Sequence, residues 1–509
     1  MCTRFVALCE ELSRLQVRLI RREGSPSALA MDAVRAIQAN RDTLEPVTGN
    51  LQHVPAFLRC CATLLVRSTA DSVHDALLST SRLAEAYIDS NNGDVNESAT
   101  VLRSLVLLSS RRSDNLEGQG SSTLSGSSAL KALVYPCFHN TLHKWQQQRV
   151  RPHASTLLSL LRGTDAVCGE GFHFTPSCAD ISGLLPIKSK TQMEAKMQRC
   201  SHSRDILKAL GEMQLSRLDA GICLSSQAEF GLYDGELCNV CCEVLFSTHA
   251  LLTSQQLSQI VYNLGVLQHR HIHQKFFSSL VDFKQCNAEA VRQHVMGLAM
   301  LRQPPPSERR LMDGIFLHTL RPTDPLEFGS APDAVLSPSW FVDIGHALAC
   351  LGLTHFKYRL MMARTVRRDI VRLTTLQRCK MLYGLGGVSV DAVPHDLRAS
   401  WVGKVMRTVD VLIDRLRDVV EPSDGPFVMH ALLFAGVREH PMIPQPPSLV
   451  SGENPVDLLL STWMSCPKER VLDLTERIRP RHLGSEPATT LSNVCTAIAN
   501  NCTADFADS

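Results

Sequence analysis

"TSQQLSQIVYNLGVLQ" (253–268) sets a frame that recurs four more times, and this recurrence constrains the chain more than any other feature. With Thr253 as position zero, the frame restarts at Asn287, Ser337, Thr374 and Ser423. All five are N-cap residues, whose side-chain oxygens accept hydrogen bonds from the free amides of a first helical turn. Position eleven carries Leu264, Leu298, Leu348, Leu385 and Phe434. Position twelve is always small: Gly265, Ala299, Ala349, Gly386 and Ala435. Position fourteen carries Leu267, Leu301, Leu351, Val388 and Val437.

Positions four, seven, eight, eleven and fourteen trace one helical face, as in Leu257, Ile260, Val261, Leu264 and Leu267. A small residue beside that face lets a neighbouring helix approach closely. Glycine costs about 1 kcal/mol of helix propensity there, so packing outweighs propensity. Each first helix is followed by room for a second, at 270–283, 307–320, 355–373 and 397–420. Repeat starts lie 34, 50, 37 and 49 residues apart. Helical hairpins at such spacing predict an all-α fold, an α-solenoid of stacked hairpins. Aromatics make up only 5% of the chain, which suits helices packed through Leu, Val and Ala.

Upstream of residue 219 the frame is hard to hold, although "LKALGEMQ" (207–214) echoes its ending. The expected organisation is an N-terminal helical region (1–112), a Ser/Gly-rich loop (113–128) and divergent helical repeats (129–218). The main repeats (219–440), a Pro-rich loop (441–455) and a helical cap (456–509) follow. "PATTLSNVCTAIANN" reads as a worn sixth copy within that cap.

The in-frame endings "YNLGVL", "MGLAML", "HALACL" and "YGLGGV" resemble the "LWALAKL"-like endings of FAST-kinase-like and octotricopeptide-type helical repeats. The resemblance covers 253–437, and ARM and HEAT helices share some of its features. The scattered Cys and His and the irregular insertions resemble, in style, mitochondrial RNA-processing solenoids of kinetoplastid protists. These likenesses imply a mitochondrial RNA-binding solenoid acting in processing, editing, stability or translation. Many such proteins end in a RAP domain. "EPSDGPFVMHALLF" (421–434) matches its core only superficially and reads as the start of the fifth repeat, so the resemblance carries no nuclease activity here.

Few motifs elsewhere in the chain carry chemistry. Cys238, Cys241 and Cys242 of "CNVCC" offer zinc-ligand spacing with Cys223 and His249 nearby. Their apolar helical surroundings favour buried free thiols instead. His269, His271 and His273 fall at a predicted turn and read as a polar loop. No phosphate loop, nucleophile elbow or His-Glu-x-x-His sequence is present. The expectation is a non-enzyme without cofactor or metal. The start, "MCTRFVALCEELSRLQVRLIRREG", reads as no secretory signal, because Glu10 and Glu11 interrupt it. Its arginines fit either a short mitochondrial presequence or an ordinary first helix. No run reaches the roughly 18 apolar residues of a membrane helix. The expected location is the mitochondrial matrix, and otherwise the cytoplasm.

A formal net charge of +2 gives no global positive field. Single-stranded RNA would therefore need a local patch. One candidate is Lys357, Arg364, Arg368 and Arg372, which fall within about 80° on an ideal α-helical wheel. A second is the position-six column of Gln259, Gln293, Asp343 and Lys380, with Tyr262, Met296, His346 and Tyr383 at position nine. Equivalent positions in a solenoid line one surface, where such side chains can stack on or bond to bases. The ordinary alternative is a solvated outer face. The competing function is an ARM/HEAT-like scaffold among the proteins of a mitochondrial ribosome or RNA-processing complex.

Overall fold

A computed structural model of the chain describes residues 2–416 except 22, 45–50, 66–72, 92, 111–125, 148–151, 169–173, 175–183, 320–335, 387 and 389. Beyond these it describes only 424, 427, 428, 431, 432 and 435. The described residues form helices and connecting turns, with no strand among them. The all-α expectation therefore holds. The fifth repeat's Ser423 and Phe434, the Pro-rich loop and the C-terminal cap lie outside the described residues, as does all of the Ser/Gly-rich loop but 126–128. No described helix is long and apolar enough to cross a membrane.

Two compact units divide the chain. Unit 1 comprises Met1–His173 with Lys190–Thr248, and unit 2 comprises Phe174–Ser189 with His249–Ser509. The boundary expected at 218/219 falls at the start of a helix inside unit 1.

Unit 1 begins with α1 (Cys2–Ile20), α2 (Pro26–Ala39), α3 (Val54–Leu65), α4 (Val73–Asp89), α5 (Val95–Ser109), α6 (Gly126–Gln147) and α7 (Ala154–Cys168). It closes with α8 (Lys190–Arg199), α9 (Ser201–Gly211), α10 (Arg217–Phe230) and α11 (Gly235–Ser247). Alternate helices pack together here: α1 on α3, α3 on α5 and α5 on α7, with α2 on α4 and α4 on α6. Phe5 and Phe57 join α1 to α3, their rings 5.4 Å apart. Gly163 of α7 sits so close to α5 and α6 that a Cβ would meet Leu102 at 2.7 Å and Phe138 at 3.0 Å. The sequence frame is absent from this stretch, yet the alternate packing is present.

Unit 2 contains α12 (Ser254–Val266), α13 (Gln274–Ser279), α14 (Ala288–Leu301), α15 (Glu308–Thr319), α16 (Pro338–Cys350), α17 (Phe356–Val366) and α18 (Thr375–Leu385). It continues with α19 (His395–Ser400), a π-helical turn (Trp401–Met406) and α20 (Arg407–Arg415). The first helices of the four described repeats pack in series, α12 on α14, α14 on α16 and α16 on α18. They run parallel: Trp340 Nε1 donates to Ala288 O near the starts of α14 and α16, and Arg292 meets Asp343 a turn later.

Both ends of these helices follow from the repeat. Thr253 and Thr374 form capping boxes with Gln256 and Gln377, and the Asn287 side chain accepts from Ala290 N–H. Ser337 makes no such bond to its helix, and Pro338 opens α16 instead. At position fifteen, Gln268, Arg302 and Gly352 all turn left-handed, with φ of 50°, 50° and 70°. The next amide then reaches back to position eleven, at 2.9 Å each for His269→Leu264, Gln303→Leu298 and Leu353→Leu348. This is a Schellman close repeated in frame.

The fourth copy departs from the pattern. α18 stops at Leu385, and Gly386 is extended. Buried Arg359 of α17 supplies a donor there instead, its Nη1 donating to the position-eleven Leu385 O at 3.5 Å and to Gly386 O at 3.1 Å. Burial lowers the Arg359 pKa to about 10.

The tightest approach does not fall uniformly on the expected small-residue column. A Cβ on Gly265 would stand 3.0 Å from Gly297 O. At Gly297, position ten, it would stand 2.8 Å from backbone atoms of Val261 and Tyr262. A Cβ on Gly384, also at position ten, would stand 3.0 Å from the Gly345 backbone. Ala349 of the expected column is only half-buried. Parallel neighbours with a two-residue offset bring position ten of one helix against position eight of the previous one.

Candidate functional site

The position-six column lies across the first helices of unit 2, but two of its members face each other and not outward. Arg292 Nη1 donates to Asp343 Oδ2 at 2.7 Å, and Lys380 Nζ donates to Asp343 Oδ1 at 2.8 Å. Arg292 also holds Glu289 through two bonds of 2.7 and 2.8 Å. A ladder Glu289–Arg292–Asp343–Lys380 therefore ties α14, α16 and α18 together. Asp343 is buried, and its side chain is 10% exposed, so this ladder is better shielded than surface pairs are. The Glu289 and Asp343 carboxylates raise the Arg292 pKa further, against the lowering effect of its burial.

This placement corrects the base-reading expectation for part of the column. Lys380 is engaged between helices, whereas Gln259 is exposed and Gln293 half-buried. At position nine Tyr383 is 2% exposed, with its ring 5.6 Å from that of buried His346. It fills an α16–α18 contact and offers no face for stacking. Tyr262 is half-buried, and burial raises its hydroxyl pKa. Met296 is core. The shared register was visible in sequence, but its direction depends on how neighbouring helices are rotated.

The basic stretch fares differently. Lys357, Arg364, Arg368 and Arg372 are all exposed, as is Arg367. The α-helix ends at Val366, however, and Arg367–Arg372 form a 3-10 helix. Four steps at about 120° leave Arg372 about 120° from Arg368, where an α-helix would leave them about 40° apart. Arg372 turns to Asp369 at 3.6 Å. Of the expected stripe, Lys357, Arg364 and Arg368 stay exposed on the α-helical spacing and its first 3-10 step, while Arg372 departs. Exposed Arg367 adds a further cation beside them in sequence. The Arg367 contribution was missed because it lies off the ideal wheel.

Cys238, Cys241 and Cys242 lie on α11 with Cys223 on α10, and all four are fully buried free thiols. A hydrogen bond with Cys223 together with burial pushes the Cys241 pKa far up, and burial pushes Cys242 up to about 12. Burial raises Cys238 as well, so Cys238, Cys241 and Cys242 are protonated core side chains at neutral pH. His269 is buried, while His271 and His273 are half-buried in the turn before α13.

No family model matches this chain, and no curated protein matches it.

Proposed function

We propose that this chain is an α-solenoid that binds single-stranded RNA without catalysing a reaction, within a protein complex of mitochondrial RNA metabolism. The serial parallel packing of capped first helices supports the solenoid. The alternate packing within unit 1 supports stacked helices there as well. The observation that carries the RNA reading is the run of exposed basic residues Lys357, Arg364, Arg367 and Arg368, in a chain whose net charge is only +2. Among the described residues no carboxylate pairs with any of these four. Phosphate contacts fit such a run, whereas the engagement of Lys380 and Tyr383 argues against reading bases through the repeat columns.

The second reading is a protein scaffold. It is favoured by the ion-pair ladder, which uses polar repeat positions for helix-to-helix register and leaves fewer of them for nucleic acid.

Salt titration of RNA binding separates the two. Each phosphate contact to a single strand contributes a slope of about −0.7 in log K against log salt. Replacing Arg364 and Arg368 with Ala should flatten the slope by roughly 1.4 and weaken unrelated RNA sequences alike. Unchanged binding in the double variant, or no binding by the wild type, leaves the scaffold reading.

A further inference from the structure

We propose that a cleft in unit 1, between α8, α9 and the start of α11, receives an arginine side chain presented by a partner peptide. It stands apart from the RNA reading, which concerns unit 2.

The cleft measures about 590 Å³. That volume admits a long side chain with part of its backbone. Its charged lining is Glu194, Asp234 and Glu236 against the single cation Arg204. Glu194 and Glu236 are exposed, and no described residue neutralises either by an ion pair. The Asp234 carboxylate is fixed, since its Oδ1 accepts from Leu237 N–H at 2.8 Å as the cap of α11. Beneath it, buried Gln227 Oε1 accepts from Asp234 N–H at 2.8 Å and holds that floor in place.

A second observation comes from the wall formed by Tyr233. The chain's own Lys190 places its ammonium 5.5 Å from the Tyr233 ring centroid. The ring face thus already holds a cation, and that cation belongs to an exposed side chain with which a ligand can compete. Gly235 keeps this corner open, because a Cβ there would meet the Tyr233 hydroxyl at 3.1 Å.

Arginine fits this combination better than lysine. Its planar guanidinium stacks on a ring while its fork of donors reaches carboxylates to the side. Met197 and the Tyr233 ring give its methylenes an apolar surface, and the Gln198 side chain adds an amide acceptor. Arg204 opposes the ligand, so the two free carboxylates must outweigh it.

The test uses the full chain and a fluorescent pentapeptide, Ala-Gly-Arg-Gly-Ala, beside a twin carrying citrulline in place of arginine. Citrulline keeps the shape and removes the charge. The arginine peptide should bind at least about tenfold more tightly than its twin, a difference of about 1.4 kcal/mol. Glu194→Gln with Glu236→Gln should remove that preference. Lys190→Met should tighten binding, because it removes the competing internal cation. All three positions are exposed, so circular-dichroism melts should match the wild type. Equal binding of the two peptides, no binding of either, or indifference to Lys190→Met overturns the proposal. Free arginine binding as tightly as the peptide overturns the peptide assignment in favour of a small organic cation.

Discussion

His294 occupies position seven of the second repeat, where the other described copies carry Ile260, Ile344 and Met381. It is 1% exposed, inside the α12–α14 layer. Its Nε2 lies 3.4 Å from Ser278 Oγ, Phe283 packs edge-on at 5.3 Å, and Nδ1 has no partner among the described residues. Burial lowers its pKa from the ordinary 6.5 to about 4. As pH falls below 6.5, the unfolded chain takes up this proton before the folded chain does. The stability linked to His294 is therefore complete above pH 6.5 and is lost between 6.5 and 4. The gap between 6.5 and about 4 corresponds to about 3 kcal/mol across that window. His294→Met removes the titration and the orphaned ring nitrogen while keeping the volume close. It should raise stability at pH 7 by about 1–2 kcal/mol, within the usual cost of a buried unsatisfied group. It should also flatten the decline toward pH 4. Urea unfolding of both proteins at pH 7, 6, 5 and 4 measures the two effects. Parallel stability curves for wild type and variant would refute the assignment of this acid sensitivity to His294.

Two glycines should respond to alanine in opposite directions. Gly297→Ala forces a Cβ to 2.8 Å from the Val261 and Tyr262 backbone and should cost about 1–3 kcal/mol, whereas Gly221→Ala on α10 meets open space and should stabilise by about 0.5–1 kcal/mol. Thermal melts compare them, and a Gly297→Ala protein as stable as wild type would contradict the close approach. Asp343→Asn leaves Arg292 and Lys380 facing each other without their anion and should cost roughly 3 kcal/mol. Adding Lys380→Met should recover part of the loss in a double-mutant cycle, and strict additivity would dissolve the ladder as an energetic unit. Thiol titration with a bulky disulfide reagent should leave Cys223, Cys238, Cys241 and Cys242 unmodified in the native protein and modify them on unfolding. Rapid native labelling of any of the four would place it outside the core.

Helix starts and the repeat period were determined by local chemistry, and so the sequence alone reveals them. Thr253 and Thr374 cap with a glutamine three residues on, and bonds of that range depend on nothing beyond the first turn. The helical run of apolar positions likewise marks the buried face of α12, with Leu257, Ile260, Val261 and Leu264 all inside. Local rules broke down beyond Val366, where no residue type signals that the α-helix tightens into a 3-10 turn and Arg372 swings away. They were also insufficient in unit 1, where alternate helices pack without a shared residue frame, because many apolar combinations satisfy the same contact. The direction of a polar column was decided by tertiary structure alone. Asp343 and Lys380 share position six with Gln259, yet the rotation of α16 and α18 turns the first two toward each other and leaves the third in solvent. The cleft beside Tyr233 belongs to the same class, since its walls come from segments some forty residues apart at Glu194 and Glu236 that only folding brings together.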